Sequence, residues 1–89
     1  MARHARGDLE TWRKAIQRRL AASVDLWRSA SDYAQESMAR TLSPHLEIWR
    51  ELGWTPVSLF ALVEEVRPDL GMTEFGEMLQ FVFDWEGAA

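Results

Sequence analysis

The stretch DLWRSASDYAQ, residues 25–35, decides whether the N-terminal half of this chain is one helix or two. Before it, apolar side chains recur at Leu9, Trp12, Ile16, Leu20, Val24 and Trp27; after it come Ala34 and Met38, with Ala30 and Ser31 bridging the gap. Steps of three and four keep these positions on one helical face. Between Leu9 and Met38 there is neither Pro nor Gly, and good helix formers dominate. The spacing therefore predicts a continuous helix over 8–41. Asp8 would cap it, Glu10 would suit the positive end of its dipole, and residues 1–7 would fray. At 1.5 Å per residue such a helix is about 50 Å long, longer than a compact domain of this length is wide. Its weakest point is Ser29–Asp32, rich in residues that prefer caps to helix interiors. Either the helix bends or breaks there, or it projects and pairs with another copy.

Downstream the punctuation is denser. Ser43-Pro44 reads as an N-cap followed by proline at the first helical position, and Gly53 as the residue that ends that helix. Thr55-Pro56 repeats the entry signal for a third helix, which should stop near Arg67 because Pro68 disfavours helical geometry before it. Residues 68–71, PDLG, form a turn, and Thr73 is expected to cap a fourth helix. No alternating run or hairpin dipeptide suggests a strand. The expected fold is all-α: residues 1–89 as a single helical domain, with one long N-terminal helix and three short helices, within 43–86, packed along it.

The composition is that of an ordered globular chain, 47% hydrophobic and 27% charged. There is no cysteine, which excludes disulfides, thiolate metal sites and thiol nucleophiles. No apolar run approaches the roughly 18 residues of a membrane span, and the N-terminus has no apolar signal region. The chain reads as cytoplasmic. Charge is unevenly divided: residues 1–50 carry nine Arg/Lys against six acids, +3, whereas residues 51–89 carry Arg67 against eight acids, −7. Two such halves attract one another, within a molecule or between copies.

Five tryptophans invite explanation. Trp12 and Trp27 lie on the long stripe and are assigned to the core, as is Trp49, which shares a face with Ile48 and Leu52. Trp54 follows the helix-ending Gly53, where it can contact Trp49. It also precedes the Thr55 cap, where it can pack on Leu59. Trp85 differs. In the last helix Phe75, Met78, Leu79 and Val82 form the inward stripe, while Phe81 and Trp85 stand one turn apart on another side and Phe83 on a third. A surface helix needs one apolar face, so Phe81 and Trp85 are the leading interface candidates. Phe60 lies off the main stripe of the third helix, and Glu64, Glu77 and Asp84 make the same hairpin acidic. These six residues, Phe60, Glu64, Glu77, Phe81, Asp84 and Trp85, form the expected partner surface.

No pattern of catalysis or ligation emerges. His4 and His45 have no partner at ligand spacing, the serines occur in no nucleophile motif, and the glycines form no phosphate-cradling loop. Neither an enzyme, nor a metal, nor a cofactor is expected. The segment around RPDLG has the silhouette of a helix-turn-helix, but its second helix bears Glu74, Glu77, Asp84 and Glu86, which a polyanion would repel. A basic cluster of Arg3, Arg6, Arg13, Lys14, Arg18 and Arg19 could meet phosphate, yet Arg19 points away from Arg13 on a helix. The sequence thus predicts a small non-enzymatic interaction protein, a regulator, adaptor or inhibitor, presenting an acidic, apolar C-terminal hairpin to a protein partner. The alternatives are a nucleic-acid-binding protein using the basic N-terminal helix, and an inhibitor that occupies a nucleic-acid channel of its target. Homodimerisation through the long helix or the last one is the companion expectation.

Overall fold

The computed structural model describes the backbone of residues 2–88 and the side chains of residues 10–85. It contains four helices: α1 (Ala2–Arg28), α2 (Asp32–Glu51), α3 (Pro56–Glu64) and α4 (Met72–Ala88), with no strand among the described residues. The all-α class agrees with the sequence. The division of the N-terminal half does not.

The expected 8–41 helix ends at Arg28, and its front extends to Ala2, so Asp8 is interior rather than a cap. The break falls at the weak point. Ser29 donates through its Oγ to the Leu26 carbonyl at 2.7 Å, and Gln35 donates its Nε2 to the Trp27 carbonyl at 3.0 Å. These bonds satisfy carbonyls that the end of a helix leaves without donors. Ala30 then takes a left-handed φ of 59°, a conformation that glycine or asparagine usually supplies after a helix. Ser31, in extended conformation, caps α2 by accepting from the Ala34 N–H. Three consecutive residues therefore stop one helix, reverse the chain and start the next.

Continuing α2 past Ser43-Pro44 overrides the second expected boundary. Pro44 lies inside α2, although a proline there removes the donor for the Arg40 carbonyl and costs about 3 kcal/mol. The stripe Met38, Ala39, Leu42, Leu46 and Trp49 runs straight across it, and every member is buried. Starting a new helix at Ser43 would have rotated half of that stripe out of register. Core burial outweighs the local cap signal, and His45 consequently belongs to the middle of α2.

Beyond α2 the punctuation behaves as read. Gly53 adopts φ 96°, its N–H donates to the Arg50 carbonyl, and the Trp54 N–H donates to the Trp49 carbonyl, both at 3.0 Å. This is a Schellman end, and an added Cβ at Gly53 would meet nothing within 4 Å. Thr55 and Ser58 cap each other reciprocally at the start of α3. After α3, the Leu70 N–H donates to the Arg67 carbonyl across Pro68-Asp69 at 3.0 Å, closing a turn. One detail differs. Gly71, not Thr73, accepts the first bond of α4, from the Phe75 N–H.

α1 and α2 form an antiparallel pair, and α4 makes its broadest contact with α2 while α3 lies against α1 and α4. Ile16, Leu20 and Val24 of α1 meet the α2 stripe, with Leu59, Leu62 and Val63 of α3, Leu70 of the turn, and Phe75, Met78, Leu79 and Val82 of α4. The α4 stripe agrees with the expected set. The assignment of Trp12 to the core does not: it is 46% exposed, and Ile48 and Leu52, expected to share the buried face of Trp49, are 49% and 52% exposed. The stripes of α1 and α2 are simply wider than the face their neighbours cover.

Two substitutions test the helix boundaries. Ala30→Gly should stabilise the fold by about 0.5–1 kcal/mol, because a left-handed alanine costs more than the entropy glycine brings. Pro44→Ala should add about 2 kcal/mol by restoring a ladder donor on an exposed helical position. Urea denaturation of each variant reads both, and a loss at Pro44→Ala would mean that α2 requires the proline.

Candidate interaction surface

The six residues expected to form a partner surface occupy α3 and α4, and the aromatic three are half-buried. Phe60 lies with its ring centroid 5.7 Å from that of Phe75, Phe81 lies 5.5 Å from Trp27, and Trp85 packs against the same core. Phe60 and Phe81 thus rest on different neighbours, one towards α4 and the other towards the end of α1. Glu64, Glu77 and Asp84 are exposed, and Asp84 accepts from the Gln80 amide at 2.9 Å. On α4 the large apolar side chains most open to solvent are Met72 and Phe83.

The two charged halves of the chain meet within the molecule. Arg13 of α1 pairs with Glu65 at 2.5 Å, and Gln17 donates to the Leu62 carbonyl near the end of α3 at 2.9 Å. At the other end of α1, Arg28 binds Glu74 through two bonds, at 2.6 and 2.8 Å, and also binds Asp69. Arg67 reaches Asp25 at 2.8 Å and the other side of Asp69 at 3.3 Å. Asp69 is therefore shared by two guanidiniums, and its carboxyl is held far below the usual carboxylate range, by Arg28 first and Arg67 second. Glu74 is lowered by its bonds to Arg28, and both arginines are raised in return. Placement reinforces this cluster: Arg28 occupies the negative end of the α1 dipole and Glu74 the positive end of α4.

On the opposite flank of α1 the surface is open. Trp12, Ala15 and Arg19 of α1 face His45, Ile48 and Trp49 of α2 across a depression of about 190 Å³. It continues past Ala15 and Arg19 into a second one of about 390 Å³, between Ala22 and Leu26 of α1 and Met38 and Thr41 of α2, with Arg18 on its edge. The result is one groove along the α1–α2 pair. Leu26 is 40% exposed within it. His45 stacks at 5.6 Å on Trp49, and its imidazole is held below the ordinary 6.5, chiefly by burial and then by Arg19.

The sequence conceals the groove, because periodicity alone places Trp12 and Ile48 on the stripes expected to be buried. A signal existed. Positions 12, 15, 19, 22 and 26 and positions 41, 45, 48 and 52 both alternate steps of three and four, a heptad seam beside the core stripe. Of the expected basic cluster, Arg13 is engaged by Glu65 while Arg18 and Arg19 line the groove; the side chains of Arg3 and Arg6, and that of His4, lie outside the described residues. Among the described residues no group of His, Cys, Asp or Glu is arranged to hold a metal, and no helix is long and apolar enough to cross a membrane. The chain matches no protein-family model, no curated protein and no solved structure.

The shared Asp69 and its neighbour Glu74 make a pH prediction. Both have folded-state pKa values below their unfolded ones, so their contribution is fully present above about pH 4.5 and is lost as pH falls through the folded values. His45 acts with the same sign over a higher window: below 6.5 the unfolded chain takes up a proton that the folded one resists. Stability should therefore decline in two stages on acidification. Arg28→Met should flatten the lower stage and His45→Gln the upper, as read by urea midpoints between pH 7 and pH 3.

Proposed function

We propose that this chain is a non-enzymatic protein-interaction module, a small regulator, adaptor or inhibitor working in the cytoplasm, which receives a helix of its partner in the groove between α1 and α2. One observation carries the reading. Trp12, Leu26 and Ile48 stand 40–49% exposed where two adjacent helices leave a lengthwise depression between them. Contiguous apolar surface of this kind is uncommon on a monomer without a use, and a groove between parallel-running helix axes is the shape that takes an amphipathic helix.

The acidic hairpin of α3 and α4 supports this reading less. Glu64, Glu77 and Asp84 are exposed and make no ion pair among the described residues, which suits a basic partner or occupation of a nucleic-acid channel. Its aromatic anchors Phe60, Phe81 and Trp85, however, already direct much of their surface into the core. Binding of nucleic acid by α1 is weakened because Arg13 and Arg28 are engaged by carboxylates of the same molecule. Self-association loses one motive, since no 34-residue helix projects from the fold, and keeps another in the exposed groove.

A photo-reactive phenylalanine analogue placed at Ile48, and separately at Phe83 of α4, distinguishes the two faces in cells of the native host. Position 48 should crosslink to a discrete protein, and Trp12→Ser in the same chain should remove the product. A product formed from position 83 alone would assign the binding surface to the hairpin and overturn the groove.

A further inference from the structure

The lining of the groove carries a charge that contradicts the molecule around it. The chain has a net charge of −4, yet neither section of the groove is lined by a single carboxylate, whereas Arg18 and Arg19 both line it. Among the described residues these two make no ion pair, although Arg13, Arg28 and Arg67 of the same fold are all paired. Burial beside Trp49 keeps His45 from adding a proton at neutral pH, so the two guanidiniums set the local field. An apolar channel with an uncompensated cationic edge complements a ligand that is apolar on one side and anionic on the other.

We propose that the groove accepts an acidic amphipathic helix of another protein, with its apolar edge between Trp12 and Ile48 and its carboxylates against Arg18 and Arg19. This rests on the interaction reading above and specifies the partner. The dimensions agree. From Trp12 to Leu26 α1 advances about 21 Å, the length of a helix of roughly 15 residues. The alternation of three and four on both walls demands the same heptad spacing of the occupant, with apolar residues at its a and d positions and Asp or Glu beside them.

Two other occupants fit less well. A second copy pairing through this face about a two-fold axis at its centre would bring Arg19, midway between Trp12 and Leu26, close to its own symmetry mate, and like charges there oppose association. A nucleic acid needs a row of cations along its phosphates, and here Ala15, Ala22, Leu26 and Ile48 occupy most of the row.

The test uses three synthetic helices of about 15 residues, each with Leu at a and d and with Glu, Gln or Lys at the flanking positions. Titration of the intact chain is followed by calorimetry. The Glu helix should bind about tenfold or more tighter than the Gln helix, with the gap closing at high salt, and the Lys helix should not bind. The double variant Arg18→Glu/Arg19→Glu should reverse the order of the Glu and Lys helices, while it still melts cooperatively near the parent temperature at about pH 7.5, where His45 is neutral, because neither arginine makes an ion pair among the described residues. Equal binding of the Glu and Gln helices would overturn the acidic preference and leave the groove a helix receptor. Failure of all three alongside a crosslink from position 48 would overturn the helical occupant alone; failure of both would remove the interaction reading as well. Salt-sensitive binding of generic duplex lost in the double variant, or a concentration-dependent dimer lost in Ile48→Ser, would assign the groove to a nucleic acid or to a second copy and so overturn the proposal.

Discussion

The reversal at Ser29–Ser31 is the constraint from which the rest of the architecture follows. A helix running from residue 2 to residue 51 without interruption would bury nothing against itself, since its stripe needs a second surface at interhelical distance. Breaking the chain after Arg28 folds the α2 stripe back onto that of α1 and creates the wall on which α3 and α4 assemble. The local cost is a left-handed alanine, small beside the burial of Leu20, Val24, Met38 and Leu42, each at most 1% exposed. Arg28, the last residue of α1, then binds both Asp69 and Glu74, so the end of the first helix also fixes where the last one begins.

Short α3 and α4 cover one side of the α1–α2 pair and leave the other bare. Arg13, Gln17 and Ala21 of α1 turn towards α3 and the turn that follows it, while Trp12, Ala15 and Arg19 turn towards the groove. The apolar stripes of α1 and α2 are broader than the face that α3 and α4 cover, as the exposure of Trp12, Leu26 and Ile48 shows. The same partition governs charge: carboxylates of the acidic half neutralise Arg13 and Arg28 on the covered side, while Arg18 and Arg19 on the open one make no ion pair among the described residues.

Local chemistry specified a good deal of this by itself. Gly53, the Thr55-Pro56 entry and the PDLG turn are each set by two or three neighbouring residues, which makes them legible in the sequence; the reciprocal bond from Ser58 to Thr55 is added by the structure. The inward stripe of α4 was equally legible, because four apolar positions at helical spacing admit one burial direction. The uneven charge also foretold attraction between the halves, realised within the molecule as the pairs of Arg13 and Arg28 with acids of the C-terminal half.

Tertiary structure alone decided the remainder. Ser29–Asp32 and Ser43-Pro44 offer competing boundaries of similar local strength, and only the shared burial of Met38, Leu42, Leu46 and Trp49 selects the first and overrides the second. The candidate surface was obscured for a related reason. Periodicity marks Trp12, Ile48 and Leu52 as apolar and on a helix, but burial depends on how many neighbours the fold can bring to each side. The sequence by itself determined the helical stripes, the helix end at Gly53, the entry at Thr55 and the charge; the packing decided which stripe was left open, because burial depends on the neighbours that the assembled fold brings to each face.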